Sequence, residues 1–163
     1  MTNFEPRRAH LIAAALVGAL ALVGCAGKNA LDQGLAAAQG APGSVQEFQV
    51  AVGDRVFFTV DSSALSADAR ATLDQQAKWL NQYSQYQFTI EGHADERGTR
   101  EYNLALGARR ATAVRAYLVS RGVAANRMRT ISYGKERPVA VCDDPSCWNQ
   151  NRRAVTVLNS AES

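Results

Sequence analysis

Histidine is nearly absent from this chain: His10 and His93 are the only two in 163 residues. Cysteine is almost as scarce, at three, and lysine occurs only as Lys28, Lys78 and Lys135. The longest apolar run, Leu11 to Val23, falls well short of the roughly 20 residues that a membrane-spanning helix needs. These shortages exclude whole classes of protein. A zinc hydrolase needs a cluster of His, Cys and carboxylate ligands, and a thiol enzyme needs a Cys/His pair. With two histidines and three cysteines, neither set is expected here. Glu91 and Glu96 could form an acid/base pair, yet no nucleophile or metal cluster accompanies them, so no catalytic residue and no cofactor is expected. The net charge of +3 comes from dispersed arginines, without the basic cluster of a nucleic-acid surface.

The amino terminus carries the first positive signal. Arg7 and Arg8 precede the apolar stretch, Gly24 is a small residue before a cut, and Cys25 follows Leu22-Val23-Gly24. Too short to span, the stretch reads as a signal peptide. The pattern resembles the lipobox of bacterial lipoprotein precursors. That resemblance implies cleavage before Cys25 and acylation of its sulfur and new amino group, enough acyl chain for a permanent anchor. Ala26 rather than Asp follows the cysteine, which by the same resemblance points to the outer membrane. From Ala26 to about Gln46 the chain is Ala, Gly, Gln and Ser with Pro42. It lacks a sustained apolar face and reads as a tether contributing nothing to a core. The expected organisation is residues 1–24 leader, 25–47 lipidated cysteine and flexible tether, and 48–160 folded domain. The remaining cysteines, Cys142 and Cys147, flank Pro145 in an exported chain, so a local disulfide is expected. Lying apart in sequence from the functional segment described next, it is expected to stabilise modestly and to leave binding intact.

Within the domain, Val56, Phe58 and Val60 alternate like a strand. Ser66 is a helix N-cap, with Ala69, Leu73, Ala77 and Leu80 at helical spacing behind it. A strand is expected at Gln87–Glu91 and a helix from about Glu101 to Arg121, with Leu104, Ala108, Ala111, Val114 and Leu118 as its buried stripe. A third strand follows near Arg129–Tyr133, and a last one at Ala154–Leu158 alternates through Val155 and Val157. The order β-α-β-α-β-β gives an α/β two-layer sandwich. Its crossovers imply parallel pairs and place both helices on one face of a mixed sheet.

Chemistry concentrates between Glu91 and Ala111, where a strand ends and a helix begins. Asn103, Gly107 and Arg110 share a helix face. Gly107 would leave a notch beside Arg110, whose planar fork matches a carboxylate, while Asp95 could accept an ammonium. That pairing suits a zwitterion. A surface salt bridge between Asp95 and Arg110 is the equally open alternative.

The run Gly92-His-Ala-Asp-Glu-Arg-Gly-Thr99, with Tyr102-Asn103-Leu104 and Gly107-Ala-Arg-Arg-Ala111, resembles the OmpA-like peptidoglycan-binding domain. Ile131-Ser-Tyr-Gly134, Glu136-Arg-Pro138 and Asn151-Arg-Arg-Ala-Val155 extend the match to about residues 50–159. The lipobox narrows it to the lipid-anchored members found in Gram-negative bacteria; a flagellar stator subunit, which shares the domain, would need a transmembrane helix. The resemblance implies a peptidoglycan stem peptide gripped at meso-diaminopimelate by Asp95 and Arg110, with Asp61, Arg97 and Asn103 beside them. It also implies a partner of the TolB type, a periplasmic β-propeller competing for the same surface. A wall hydrolase is the alternative, weakened by the missing metal and nucleophile sets. His93 is expected to be structural, Asn151-Arg152-Arg153 a strand-entry capping turn near the pocket with ligand contact as the alternative, Trp79, Tyr83 and Tyr86 the core edge, and Trp148 a cover for the disulfide.

Overall fold

The computed structural model describes residues 40–159. The leader, Cys25 and the first part of the expected tether lie outside the described residues. The folded unit starts at Gly40, not at residue 48. A short helix α1 (Val45–Glu47), capped by Ser44, runs into a π turn at Phe48–Gly53. Glu47 Oε2 accepts hydrogen bonds from Trp79 Nε1 and Gly43 N–H, both at 2.7 Å, and the Tyr86 hydroxyl donates to the Gly43 carbonyl at 2.7 Å. Gly40–Glu47, assigned to the tether, are therefore part of the domain. Apolar periodicity does not mark them, because two polar bonds to distant aromatic residues and one local bond hold the segment.

Strand β1 (Arg55–Phe57) is followed by helix α2 (Ala67–Gln82), β2 (Gln87–His93), α3 (Arg100–Ser120), β3 (Met128–Gly134), α4 (Pro145–Asn151) and β4 (Arg153–Asn159). Ser66 caps α2 as expected, its Oγ accepting from Ala69 N–H at 3.1 Å. Thr99 does the same for α3, and Gly122, at φ 87°, ends it in the left-handed region that glycine tolerates. Val60, expected in the first strand, lies beyond its end and is exposed.

The sheet order is β1-β4-β2-β3. Among the described residues only β2 and β3, joined through α3, form a parallel pair; β4 runs antiparallel to both β1 and β2. The β1-α2-β2 crossover leaves a gap one strand wide, and the last strand fills it. The sheet is thus mixed, but the first expected parallel pair does not form. Phe88 and Ile90 point to the same side of β2 and share one core with Leu73 and Leu80 of α2 and Val114 and Leu118 of α3. Both helices therefore cover one face. Each such buried side chain contributes about 1.5–3 kcal/mol by leaving water.

In the first half of α3 and in β4 the expected faces are turned, while Ala111, Val114 and Leu118 of the α3 stripe are buried as expected. Leu104 is 48% exposed and Ala108 is also outside, while Asn103, Leu106, Gly107 and Arg110 face inward. In β4 the core-facing set is Ala154, Thr156 and Leu158, with Val155, Val157 and the also buried Arg153 on the opposite side. In both elements a polar residue occupies an inward position that hydrophobicity alone assigns to an apolar one. Thr156 shows why: its hydroxyl donates to Gln76 Oε1 at 2.9 Å, and Gln76 Nε2 donates to the Gly53 carbonyl at 2.6 Å. A buried polar group with partners is tolerated in a core.

Candidate ligand-binding site

Helix α3 lies unusually close to β2, and this proximity builds the site. A Cβ on Gly92 would sit 1.9 Å from the Gly107 carbonyl oxygen, and one on Gly107 would sit 2.3 Å from Ser132 Oγ. Gly107 therefore makes no notch for a ligand. Its missing side chain is filled by the sheet, and it serves close helix–strand packing. The approach brings the N-terminal half of α3 against the loop that leaves β2.

That loop, Ala94–Thr99, is pinned from several sides. Asn103 Nδ2 donates to the Arg97 carbonyl at 2.7 Å, and Lys135 Nζ donates to the carbonyls of Glu96 and Gly98 at 3.0 and 2.7 Å. Gly98 takes φ 87° at the bend. The result is a cavity of about 300 Å³ lined by Asp61, Asp95, Arg97, Asn103 and Arg110, together with Val60, Gly98, Tyr102, Leu106 and Arg152. All five residues singled out in the sequence meet there.

Asp95 and Arg110 are buried and do not pair with each other. Asp95 Oδ1 accepts from the Arg97 backbone N–H at 3.2 Å and Nε at 3.1 Å; Oδ2 accepts from Arg97 Nη2 at 2.7 Å and Arg152 Nη1 at 3.0 Å. Those four donors fill the roughly four acceptor positions of a carboxylate. Burial alone would raise its pKa, but the bonds from Arg97 and Arg152 outweigh this and hold the carboxyl below its ordinary value. Arg110 has no exposed surface. Its Nε, Nη1 and Nη2 donate to the carbonyls of Ser62 at 2.8 Å, His93 at 2.7 Å and Thr59 at 3.2 Å. Burial, then the charge of Arg152, lowers its pKa to about 10, with Asp95 and Asp61 opposing. It remains a cation at neutral pH.

Asp61 stands across the mouth in the left-handed region, φ 51°, with its Oδ1 accepting from the Tyr102 hydroxyl. Three guanidinium groups thus line the cavity with two carboxylates, which biases it toward a ligand carboxylate, while the acceptor positions of Asp95 are taken by Arg97 and Arg152.

Arg152, expected in a strand-entry capping turn near the pocket, lines the cavity itself. It does lie in a turn at the entry to β4, but it also donates to Asp95, to the Phe58 carbonyl at 3.1 Å and to Asn149 Oδ1. Its position follows from the antiparallel pairing of β4 with β2. Ala154 lies opposite Gly92, so the residues before β4 must flank those after β2. Trp148 does not simply cover the Cys142–Cys147 bridge, which is formed. Its ring lies under the Arg97 guanidinium, 4.2 Å from the centroid, and its Nε1 donates to Glu96 Oε1 at 2.9 Å. The bridge is remote from the motif in sequence but adjacent in space. His93 lies outside the cavity, 2% exposed, with Tyr133 against its ring. Neither ring nitrogen has a hydrogen-bond partner among the described residues. Glu91 Oε2 is 3.5 Å from Nε2, an ion pair only if the ring is protonated. Trp79 packs with Phe48, Tyr83 and Tyr86 at the core edge.

Comparison with known proteins fits this geometry. The family model described as the OmpA family matches residues 57–153. The peptidoglycan-associated lipoprotein of Rhizobium meliloti is 68% identical over 154 residues, covering 91% of this chain and 88% of that protein. The one from Brucella melitensis is 66% identical and 92% of each chain is covered. Among solved structures, the peptidoglycan-associated lipoprotein from Burkholderia pseudomallei matches with a TM-score of 0.63 at 45% identity, over 65% of this chain and 90% of that one. The C-terminal domain of Helicobacter pylori MotB, at 23% identity and a TM-score of 0.62 over 67% of this chain and 86% of that one, shares the fold. The chain belongs to the OmpA family, in the branch of the peptidoglycan-associated lipoproteins.

Proposed function

We propose that this chain is an outer-membrane lipoprotein that holds the cell wall without a covalent bond and is not an enzyme. Acyl chains on Cys25 anchor one end at the periplasmic face, and the folded domain takes a peptidoglycan stem peptide at its diaminopimelate residue. The observation that carries the reading is the convergence of Asp61, Asp95, Arg97, Asn103 and Arg110 on one cavity. The zwitterionic end of diaminopimelate matches it: the carboxylate meets the guanidinium side, and the ammonium meets Asp95, with Asp61 at the mouth. To reach Asp95 the ammonium displaces the Arg97 side chain, which is then free to meet a carboxylate. Stems repeat across the wall, so many anchored copies add modest contacts by avidity. In the same reading a TolB-type periplasmic protein competes for this surface, linking the chain to the Tol system of envelope integrity and cell division.

The test is a pull-down with purified sacculi carrying diaminopimelate or lysine stems, using wild type, Asp95→Ala and Arg110→Lys. Lysine lacks the extra carboxylate, so wild type is expected to prefer diaminopimelate walls. Each folded variant is expected to lose affinity of order a hundredfold, because breaking a desolvated charge-assisted contact costs roughly 3 kcal/mol. Equal binding to both walls, or full binding by folded Asp95→Ala, would sink the assigned ligand.

A further inference from the structure

In this structure Arg97 occupies the place on Asp95 that a ligand's ammonium would need. Its Nε and Nη2 take one acceptor position on each carboxylate oxygen, and its backbone N–H and Arg152 take the rest. A cation can reach Asp95 only if the Arg97 side chain leaves, since Arg152 is buried and bonded on three sides. Arg97 is the member able to move: its side chain is 42% exposed, against 7% for Arg152. One further contact holds it in place. The face of its guanidinium rests on Trp148 at 4.2 Å.

Trp148 is itself held. Its Nε1 is bonded to Glu96, next to Arg97 in the loop, at 2.9 Å. It also follows Cys147 directly on α4, whose start is closed by the bridge to Cys142 and capped by Asp144, which accepts from Ser146 N–H at 2.8 Å. The bridge therefore fixes the element from which Trp148 reaches the pocket.

We infer that Trp148 is a positioning residue that latches Arg97 onto Asp95, that the Cys142–Cys147 bridge holds the latch in register, and that ligand binding proceeds by exchange of the Arg97 guanidinium for the ligand's ammonium. The inference rests on the proposed wall-binding function. It gives Trp148 an unusual role: a contact that favours Arg97 on Asp95 opposes binding, so its removal tightens binding.

The test titrates the full chain with a soluble stem tripeptide ending in meso-diaminopimelate, with circular dichroism to confirm folding. Trp148→Ala and Trp148→Leu are expected to bind about three- to tenfold more tightly than wild type, the span that corresponds to losing one cation–π contact from the unliganded state. Trp148→Phe, which keeps a ring face, is expected to bind within about twofold of wild type. Cys142→Ser/Cys147→Ser is expected to shift in the same direction as Trp148→Ala but by less. A ligand-free readout accompanies these. The Arg97 Nε–H proton, bonded to Asp95, is expected to exchange slowly with solvent in wild type and faster in Trp148→Ala. Unchanged or weaker binding by folded Trp148→Ala and Trp148→Leu overturns the latch, as does unchanged Arg97 exchange. Failure of wild type to bind the tripeptide, with Arg97 exchange still accelerated in Trp148→Ala, overturns the wall-binding reading and leaves the positioning role standing.

Discussion

His93 shows how a residue can sit inside a functional motif and serve the fold. Burial, then the charges of Arg153 on β4 and Arg137 in the loop over the sheet, lowers its pKa to about 4. Glu91 stands on the other side at 3.5 Å without restoring it. The ring is therefore neutral at physiological pH. An unfolded histidine titrates near 6.5, so between that pH and about 4 the unfolded chain takes up a proton that the fold refuses. Stability is expected to fall as pH drops through this window, by up to about 3 kcal/mol, and to flatten below it as far as His93 is concerned. Asp95 acts in a lower window, because a depressed carboxyl stabilises the fold above its unfolded value near 3.9 and ceases to do so as pH falls through its folded value. Urea unfolding of wild type and His93→Phe at pH 7.5 and 4.5 separates the two. The variant is expected to lack the His93 part of the slope; parallel curves would show that the ring titrates normally in the fold.

At the level of elements, the sequence revealed what periodicity and capping can carry. Ser66, Gly122 and the spacing of Leu73, Ala77 and Leu80 placed α2 and the end of α3 to within a residue or two. The inward face of the first half of α3 was not readable, because Asn103, Gly107 and Arg110 replace apolar residues there and their partners are backbone carbonyls and a neighbouring strand. The same holds for β4, where Thr156 is buried only because Gln76 meets it. Candidate pocket residues were readable from motif resemblance, which also put Arg152 near the pocket, whereas its bond to Asp95 and the contact of Trp148 with Arg97 were not, since both depend on which strand fills the gap between β1 and β2. The contact between Gly92 and Gly107 is the element-scale feature most open to test. Gly92→Ala must push α3 from β2 to relieve a 1.9 Å clash with backbone. Overpacking of this kind costs about 1–3 kcal/mol or more. Arg110 rides on α3 and is bonded to the His93 carbonyl on β2, so stem binding is expected to weaken together with the denaturation midpoint. A Gly92→Ala protein of wild-type stability would show that the two elements separate freely.

For the whole molecule, the boundary between anchor and domain sets what can be removed. No helix among the described residues is long and apolar enough to cross a membrane, so in the proposed arrangement attachment depends on Cys25. The domain, however, starts eight residues before the point where the apolar pattern begins. Deleting through Glu47 would leave Trp79 Nε1, on a side chain only 6% exposed, without its carboxylate acceptor. It would also strip the Gly43 carbonyl from the Tyr86 hydroxyl and uncover Phe48, which is fully buried. Leaving a buried donor unsatisfied costs about 1–3 kcal/mol. Soluble chains beginning at Gly40 and at Phe48 are therefore expected to differ by about 2–4 kcal/mol in urea unfolding, from the lost bonds and the reopened aromatic edge together. Both are expected to keep the stem pocket, whose lining residues all lie beyond Val60 or at it. A Glu47→Gln variant in the longer chain keeps an acceptor for Trp79 without the charge, and is expected to lose less than the deletion does. Equal stability of the two chains would return Gly40–Glu47 to the tether and show that the bonds to Trp79 and Tyr86 contribute no net stability.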